Sequence, residues 1–357
     1  MNIAYYISDY GYGHATRSIA IIRELLKNDK HFNIIICHSF AQNLLKKSLI
    51  DSRISFRTLE TDVGYILNPH TLELDHLKIQ EMYESYLVHR TQKIRDESDF
   101  LIEQNIDYII SDIYPTAIEA AYDLDIPSIG ISNFLWSDVY KDIILDSRLK
   151  VMRDAYAKMT HYLCLEGQID SNLKTKKHDF FSREIDDLEV KKIRSDLDIS
   201  SSDTVIFYGL GMKVNHSNQF ENNSSLWSTE NCKFIVSSHV DINHPNVFKI
   251  PGDYTETQNY IAASDFTITK PGWSTISEAL NGSSRLILIN RNSFLEDQST
   301  IEILGNSNYC KVYTVKELSM LRFNSKLINQ LKKDIQIKPS KKVMHLLIKD
   351  LEKNLKR

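Results

Sequence analysis

Short apolar runs rich in β-branched residues, each followed by a stretch with helical spacing, recur along the first half of the chain and again along the second. The runs are residues 2–8, 32–37, 54–59, 108–111, 128–131 and 162–165, then 204–208, 234–237, 247–250, 266–269 and 286–289. A strand that is apolar on both faces belongs to a parallel sheet covered by helices on both sides. A sheet with one face in water would alternate apolar with polar residues instead. Between the two series, over about residues 166–203, the pattern weakens. Residues 174–178 and 184–198 are densely charged, the composition of a linker or an exposed helix. The expected organisation is an α/β domain over residues 1–170, a linker over 171–203, a second α/β domain over 204–335 and a C-terminal helix over 336–357. At 357 residues the chain exceeds the usual size of one core, which agrees with two domains.

Charge and composition exclude several partners. A net charge of −4 gives no global attraction to nucleic acid. The first eight residues read as a strand, and no apolar run approaches the roughly 18 residues a spanning helix needs. Cys37, Cys164, Cys232 and Cys310 are scattered without a CxxC pair, so buried free thiols are expected. A cytoplasmic location follows as an expectation. The last segment, 341–357, is amphipathic, with Val343, Leu346, Leu347 and Leu351 on one face and lysines around it. It reads as a helix closing the domain, and its basic flanks allow peripheral contact with the inner face of an anionic membrane.

The first strand ends in Ser8-Asp9-Tyr10-Gly11-Tyr12-Gly13-His14-Ala15-Thr16. Glycines in such a turn permit tight geometry, and the helix N-terminus behind it favours anions and polar groups. The dinucleotide fingerprint fails here. Thr16 stands where its third glycine belongs, and the second strand ends in Cys37-His38-Ser39 rather than an acidic residue. No GxxxxGK[ST] sequence occurs. His14, at the positive end of a helix, is kept neutral and suits a general base; the bland alternative is a histidine bonded within its own turn. Phe134, Trp136 and Tyr140 read first as core aromatics and second as a stacking surface for a sugar or apolar acceptor.

In the second half, Gly209-Leu210-Gly211-Met212 follows a strand and suits a phosphate-facing loop. Further on stands Thr269-Lys270-Pro271-Gly272-Trp273-Ser274-Thr275-Ile276-Ser277-Glu278. Pro-Gly makes a sharp turn, and Ser274 and Thr275 at the helix start can hold a diphosphate without a metal. Glu278, one turn beyond Ser274, could accept both ribose hydroxyls. The bland alternative makes Ser274 a cap and Glu278 an exposed helix charge. The pair Asp297-Gln298 can read sugar hydroxyls, or simply start a helix. Asp123-Leu124-Asp125 and Asp196-Leu197-Asp198 match DxD, but neither follows a strand of the second half, so no metal is expected.

With these motifs in this order, the sequence resembles the GT-B glycosyltransferases, especially the family 28 enzymes that add N-acetylglucosamine to a lipid-linked peptidoglycan precursor. Gly11-Tyr12-Gly13-His14 matches the family's N-terminal turn, the segment from Pro271 to Glu278 its GG-x-GT-x-x-E-like turn, and Asp297-Gln298 its acidic-Gln pair. Pro271 stands where the family has its first glycine, and the N-terminal loop lacks the fuller glycine run. Ser111-Asp112-Ile113-Tyr114-Pro115 and Ile131-Ser132-Asn133-Phe134-Leu135-Trp136 also resemble the N-terminal region of plant arabinokinases. The resemblance implies two Rossmann-like domains facing a cleft. It implies an inverting, metal-independent hexosyl- or N-acetylhexosaminyltransferase with no cofactor. The second domain would hold a nucleotide sugar, UDP-linked by default. Gly209 and Gly211 would lie near phosphate, Ile250 near the base, Gly272, Ser274 and Thr275 on the diphosphate, Glu278 on ribose, and Asp297 and Gln298 on the sugar. The first domain would hold a glycan, lipid-linked or small-molecule acceptor beside Gly11, Gly13, Asn133 and Trp136. His14 is the first candidate for the base, with Asp112 and Asp9 at neighbouring strand ends as rivals. A nucleotide-sugar epimerase or hydrolase, or a non-catalytic sugar-nucleotide-binding subunit, keeps the fold and changes the outcome.

Overall fold

Every one of those apolar runs is a strand of a parallel sheet. The computed structural model describes residues 1–62, 64–66, 74–169, 176–210, 224–240, 242–290, 295–321, 323–338 and 343–355. It divides into two compact units, Met1–Asp179 with Lys342–Arg357, and Phe180–Lys341.

The first unit runs β1 (Asn2–Tyr6), α1 (Tyr12–Asn28), β2 (Asn33–Cys37), α2 (Gln42–Ser48), β3 (Ile54–Arg57), α3 (His76–Glu103) and β4 (Tyr108–Ser111). It continues with α4 (Pro115–Asp123), β5 (Ser128–Ser132), α5 (Trp136–Val139), α6 (Asp146–Ala157), β6 (His161–Leu165) and β7 (Lys177–His178). The seven strands lie in the order β3-β2-β1-β4-β5-β6-β7. Ile3, Ala4, Tyr5 and Tyr6 are all fully buried, so β1 is covered on both faces, as its unbroken apolar run requires.

The second unit runs α7 (Asp187–Asp196), β8 (Thr204–Gly209), α8 (Ser224–Trp227), β9 (Cys232–Val236), β10 (Val247–Lys249), α9 (Gln258–Ala262) and β11 (Phe266–Thr269). After these come α10 (Trp273–Asn281), β12 (Arg285–Ile289), α11 (Leu295–Asn306), β13 (Cys310–Tyr313), α12 (Val315–Met320) and α13 (Ser325–Asp334). Its six strands lie in the order β10-β9-β8-β11-β12-β13. Both sheets therefore reverse their winding once, between β1 and β4 and between β8 and β11. In open α/β sheets ligands gather outside the carboxyl ends of the strands at such a switch point.

Three expectations change. In its described residues the charged stretch read as a linker or an exposed helix is built structure: β7 pairs with β6, Arg183 is buried, and α7, a mostly exposed helix, carries its own N-cap in Asp186. The last helix, α14 (Val343–Leu355), returns to the first unit and packs on α1 and β7, with Lys176 Nζ 2.7 Å from Asp350. Its buried face is Val343, Leu347, Ile348, Leu351 and Leu355, whereas Leu346 is 53% exposed. That packing occupies the apolar face a membrane contact would need. Lys341, Lys342, Lys356 and Arg357 of the basic tail lie outside the described residues. Among the described residues no helix is long and apolar enough to cross a membrane. The four cysteines are free and buried, as their spacing suggested.

Candidate active site

In the first unit the glycine turn starts α1. Gly11 is its N-cap with φ 82°, a backbone region that glycine enters without strain, and a Cβ placed there would meet nothing within 4 Å. The demand on Gly11 is thus conformational rather than steric. His14, in the first turn of α1, is 6% exposed, and its Nδ1 lies 3.0 Å from Asp112 Oδ2. Asp112 stands directly after β4, whose Ser111 is in register with Tyr6 across the switch point. Between Asp112 and α4, Ile113 takes φ 61°, a left-handed conformation that is costly for a β-branched residue.

Arg17, one turn beyond His14, completes the arrangement. Its Nε donates to Asp112 Oδ2 at 2.8 Å and its Nη2 to Oδ1 at 2.5 Å. The same guanidinium donates to Asn133 Oδ1 at 2.7 Å and Ser132 Oγ at 3.0 Å. Burial pushes the Asp112 carboxyl up, but Arg17 and His14 outweigh it and hold the group at about 2. Asp112 is therefore a carboxylate near neutral pH. The same Nη2 lies 2.7 Å from His14 Nδ1. With its proton on Nδ1, His14 donates to Asp112 and leaves Nε2 as the basic nitrogen; with its proton on Nε2, Nδ1 accepts from Arg17.

Asp9 is held by several donors. Ser39 N, Phe40 N, Ser39 Oγ and Thr61 N all donate to it at 2.9–3.0 Å, and His38 Nδ1 lies 2.8 Å away. His38 Nε2 accepts from Ala41 N at 2.7 Å, so its proton sits on Nδ1, toward Asp9. Burial raises Asp9, yet His38 and the backbone of Phe40 and Ser39 bring it well below the usual carboxylate range. Asp9 ties the turn to the loops after β2 and β3. Asn133 is fully buried as a partner of Arg17. Trp136 is 1% exposed; its Nε1 donates to Asp62 Oδ1 at 3.0 Å and its ring stacks on Tyr140.

In the second unit both glycine turns meet at the switch point, where Gly209 is in register with Thr269 and accepts from its hydroxyl at 2.8 Å. A Cβ on Gly209 would come within 2.7 Å of the Phe207 ring, so this position takes only glycine without repacking. Gly211 lies outside the described residues. Gly272, not Ser274, caps α10, and no side chain caps the helix. Ser274 and Thr275 are half-buried at its N-terminus. Glu278 is not an exposed helix charge: it is 5% exposed, and Arg183 Nη2 donates to its Oε1 at 2.7 Å. Arg183 also donates to Thr255 O at 2.5 Å and Thr257 Oγ1 at 3.1 Å. Ile250 is buried at the end of β10. Asp297 and Gln298 both open α11 but diverge, Asp297 being 1% exposed and Gln298 exposed with its amide donating to Asn290 Oδ1 at 3.1 Å. The two DxD sequences end helices α4 and α7, with Asp125 and Asp198 at φ 56° and 48°.

Sequence reasoning missed Arg17, Asp62 and Arg183. The spacing of three between His14 and Arg17, which puts both on one helix face, was the available signal for the first. The other two sit in stretches without apolar periodicity.

Two parallel-sheet α/β units, each with its own switch point, make the GT-B fold of glycosyltransferases. Among solved structures, the calicheamicin glycosyltransferase CalG4 matches with TM-score 0.66 at 12% identity, over 99% of this chain and 98% of its own. Phytolacca americana UGT2, complexed with UDP-2fluoro-glucose and pterostilbene, matches with TM-score 0.62 at 11% identity over all of both chains, 100% each. No family model matches the sequence. A curated relative, L-arabinokinase of Arabidopsis thaliana, is 27% identical over 311 residues, which is 82% of this chain and 28% of that protein. The chain thus spans little more than a quarter of the relative's length.

Proposed function

We propose that the protein is a glycosyltransferase that moves a sugar from a nucleoside-diphosphate donor to an acceptor hydroxyl, with inversion and without a metal. The observation that carries this reading is the dyad of His14 and Asp112, buried at the carboxyl end of the first sheet. With Nδ1–H held by Asp112, His14 Nε2 takes the proton of the acceptor hydroxyl as its oxygen attacks the anomeric carbon. The bond from that carbon to the donor's phosphate oxygen breaks, and the nucleoside diphosphate leaves with the electron pair. Asp112 stabilises the imidazolium that forms.

The donor belongs to the second unit in this reading. The N-terminus of α10, with no side-chain cap and with the Ser274 and Thr275 hydroxyls beside it, suits the charge that builds on the leaving diphosphate. Arg183 takes Oε1 of Glu278 and leaves Oε2 for a ribose hydroxyl. Gly209, Gly211 and Ile250 would lie along the phosphates and base, and Asp297 and Gln298 by the sugar, a hexose or N-acetylhexosamine. UDP is the first choice because UGT2 holds UDP-2fluoro-glucose.

Calorimetric titration of UDP, GDP, dTDP and CMP into the wild type and Glu278→Ala tests the donor site. One diphosphate should bind the wild type, and the variant should lose it. Turnover that needs an acceptor, survives a chelator and inverts the anomeric centre by NMR completes the reading. Donor breakdown at full rate without acceptor would instead mark a hydrolase or epimerase, and binding without any turnover a non-catalytic subunit.

A further inference from the structure

Asp62, in the loop after β3, joins segments of the first unit that are far apart in sequence. Its Oδ2 accepts from Asp9 N at 2.9 Å, at the head of the turn that leads into α1 and His14. Its Oδ1 accepts from Trp136 Nε1 at 3.0 Å, and the Ser8 hydroxyl is a further donor. Packed rings carry the connection on. Trp136 meets Phe134 edge-on, with ring centroids 5.1 Å apart, and Phe134 meets the His14 ring edge-on at 5.8 Å. Tyr10, in the same turn as Asp9, also packs edge-on against Trp136. One contiguous route from Asp62 to the candidate base thus runs through the backbone of the turn, and another runs through the rings.

These donors match a carboxylate, which offers only acceptors, and all of them are neutral. Protonation would turn one oxygen into a donor, and the N–H facing it would keep only a poor acceptor. The group has a route to solvent protons. Asp62 and Trp136 both line a cavity of about 190 Å³, and Glu60, His89 and Lys93 face the same space.

We propose that Asp62 is a positioning residue for His14: as a carboxylate it fixes the turn before α1 and the rings packed on the imidazole, and protonation loosens both. Its part in turnover rests on the transferase reading above. Burial, partly offset by hydrogen bonds from Ser8 and Trp136 and reinforced by Asp9 and Asp112, raises the Asp62 carboxyl to about 7. The form that holds the site is therefore the one burial penalises, and it gives way as pH falls through neutrality. Burial pushes the neighbouring Tyr86 of α3, Tyr114 before α4, Tyr140 after α5 and Tyr156 of α6 far above that range. Asp9 and Asp112 are held well below it by their own partners. Of the charged groups across the cavity, Glu60, His89 and Lys93, only histidine ordinarily changes charge near neutrality.

Proton–nitrogen correlation NMR of the full chain, titrated from about pH 5 to about pH 9, tests this. The Trp136 indole N–H, assigned by its loss in Trp136→Phe, should shift with a midpoint at about 7. That inflection should vanish in Asp62→Asn and stay in His89→Gln. The His14 ring signals, assigned with His14→Gln, should show the same inflection beside the ring's own titration and lose it in Asp62→Asn. An aspartate with a merely structural role would leave them unmoved. A wild-type indole signal that is flat with pH overturns the proposal without any variant. So does an inflection that survives Asp62→Asn, or one that never reaches His14. Calorimetric titration of UDP into the wild type and Asp62→Asn keeps the two readings apart, and UDP should bind both alike. Loss of binding in the variant alone would move Asp62 to the donor side and overturn its assignment to His14. A wild type that binds no nucleoside diphosphate would sink the transferase reading, while the NMR still decides whether Asp62 positions His14.

Discussion

At the switch point of the first unit the charges lie inside and are answered. Asp112 has Arg17 on both oxygens and His14 beside one of them, and Arg17 is itself held by Asn133 and Ser132. At that of the second unit, α10 starts without a side-chain cap, Ser274 and Thr275 are half-buried, and the buried Glu278 carboxylate accepts from Arg183. One topology thus carries two kinds of site. A preorganised buried dyad suits proton transfer, because groups fixed before the reaction need no reorganisation during it. A helix N-terminus without a side-chain cap suits capture of an anion, because the positive end of the helix dipole favours negative charge there. The difference predicts that damage to the first site lowers turnover and damage to the second lowers affinity.

His14→Gln should give the largest effect, lowering kcat by about 10²- to 10⁴-fold while the KM for the donor stays within about twofold. Ser274→Ala should do the reverse, raising the donor KM with little change in kcat. Steady-state kinetics on both variants checks this, and equal effects on both parameters would break the comparison.

Stability should separate the sites as well. Asp112→Ala removes the carboxylate to which the buried Arg17 donates through Nε and Nη2, and should cost about 3–5 kcal/mol. Glu278→Ala should cost less, about 1–3 kcal/mol, because Arg183 keeps Thr255 O and Thr257 Oγ1. Urea titration of the two variants gives the order, and a larger loss for Glu278→Ala would show that the second carboxylate also holds its unit together.

The sheets were legible because a strand buried on both faces leaves an unbroken apolar run, and all such runs became strands. Two strands carried no such mark. β7 is two residues long, and Cys310-Lys311-Val312-Tyr313 alternates because β13 is an edge strand. The backbone turns of the site were legible too, since Gly11 and Gly209 are required by local geometry. The partners of the site's charges were not. Arg183 and Arg17 contact residues 95 positions away in sequence, and nothing local marks a charge that will be buried. The same holds for Glu97, buried on the polar helix α3, where it accepts from Tyr6 and Arg57.

Two carboxylates of the first unit should pull stability in opposite directions with pH. The native pKa of Asp112 is about 2, below its unfolded value near 3.9, so its contribution is present above pH 4 and lost as pH falls toward 2. That of Asp62 is about 7, above its unfolded value, so its contribution is complete below pH 4 and lost as pH rises through 7. Asp62→Asn should therefore flatten the fall in stability between pH 5 and 8, by about 1–3 kcal/mol. Denaturant titrations across that range test the sign, and an unchanged slope would place the native pKa of Asp62 near its unfolded value.

The smallest effects should come from the two glycines that begin the site helices, and they divide conformation from access. Gly11 has φ 82° with open space around its missing Cβ, so Gly11→Ala should cost about 1–2 kcal/mol through backbone strain alone. Gly272 has φ −78°, which any residue adopts, and a Cβ there would touch only Lys270, at 3.5 Å. Gly272→Ala should be neutral or stabilise the fold by about 0.4–1 kcal/mol, by restricting the unfolded chain. If the diphosphate approaches α10 closely, the same variant should nonetheless weaken UDP binding, because the added methyl enters the space the ligand needs. Thermal unfolding with and without UDP separates the two quantities in one experiment. A Gly272→Ala protein that is as stable as the wild type and binds UDP as well would mean that this glycine serves neither conformation nor ligand, and the diphosphate would then have to be sought away from the start of α10.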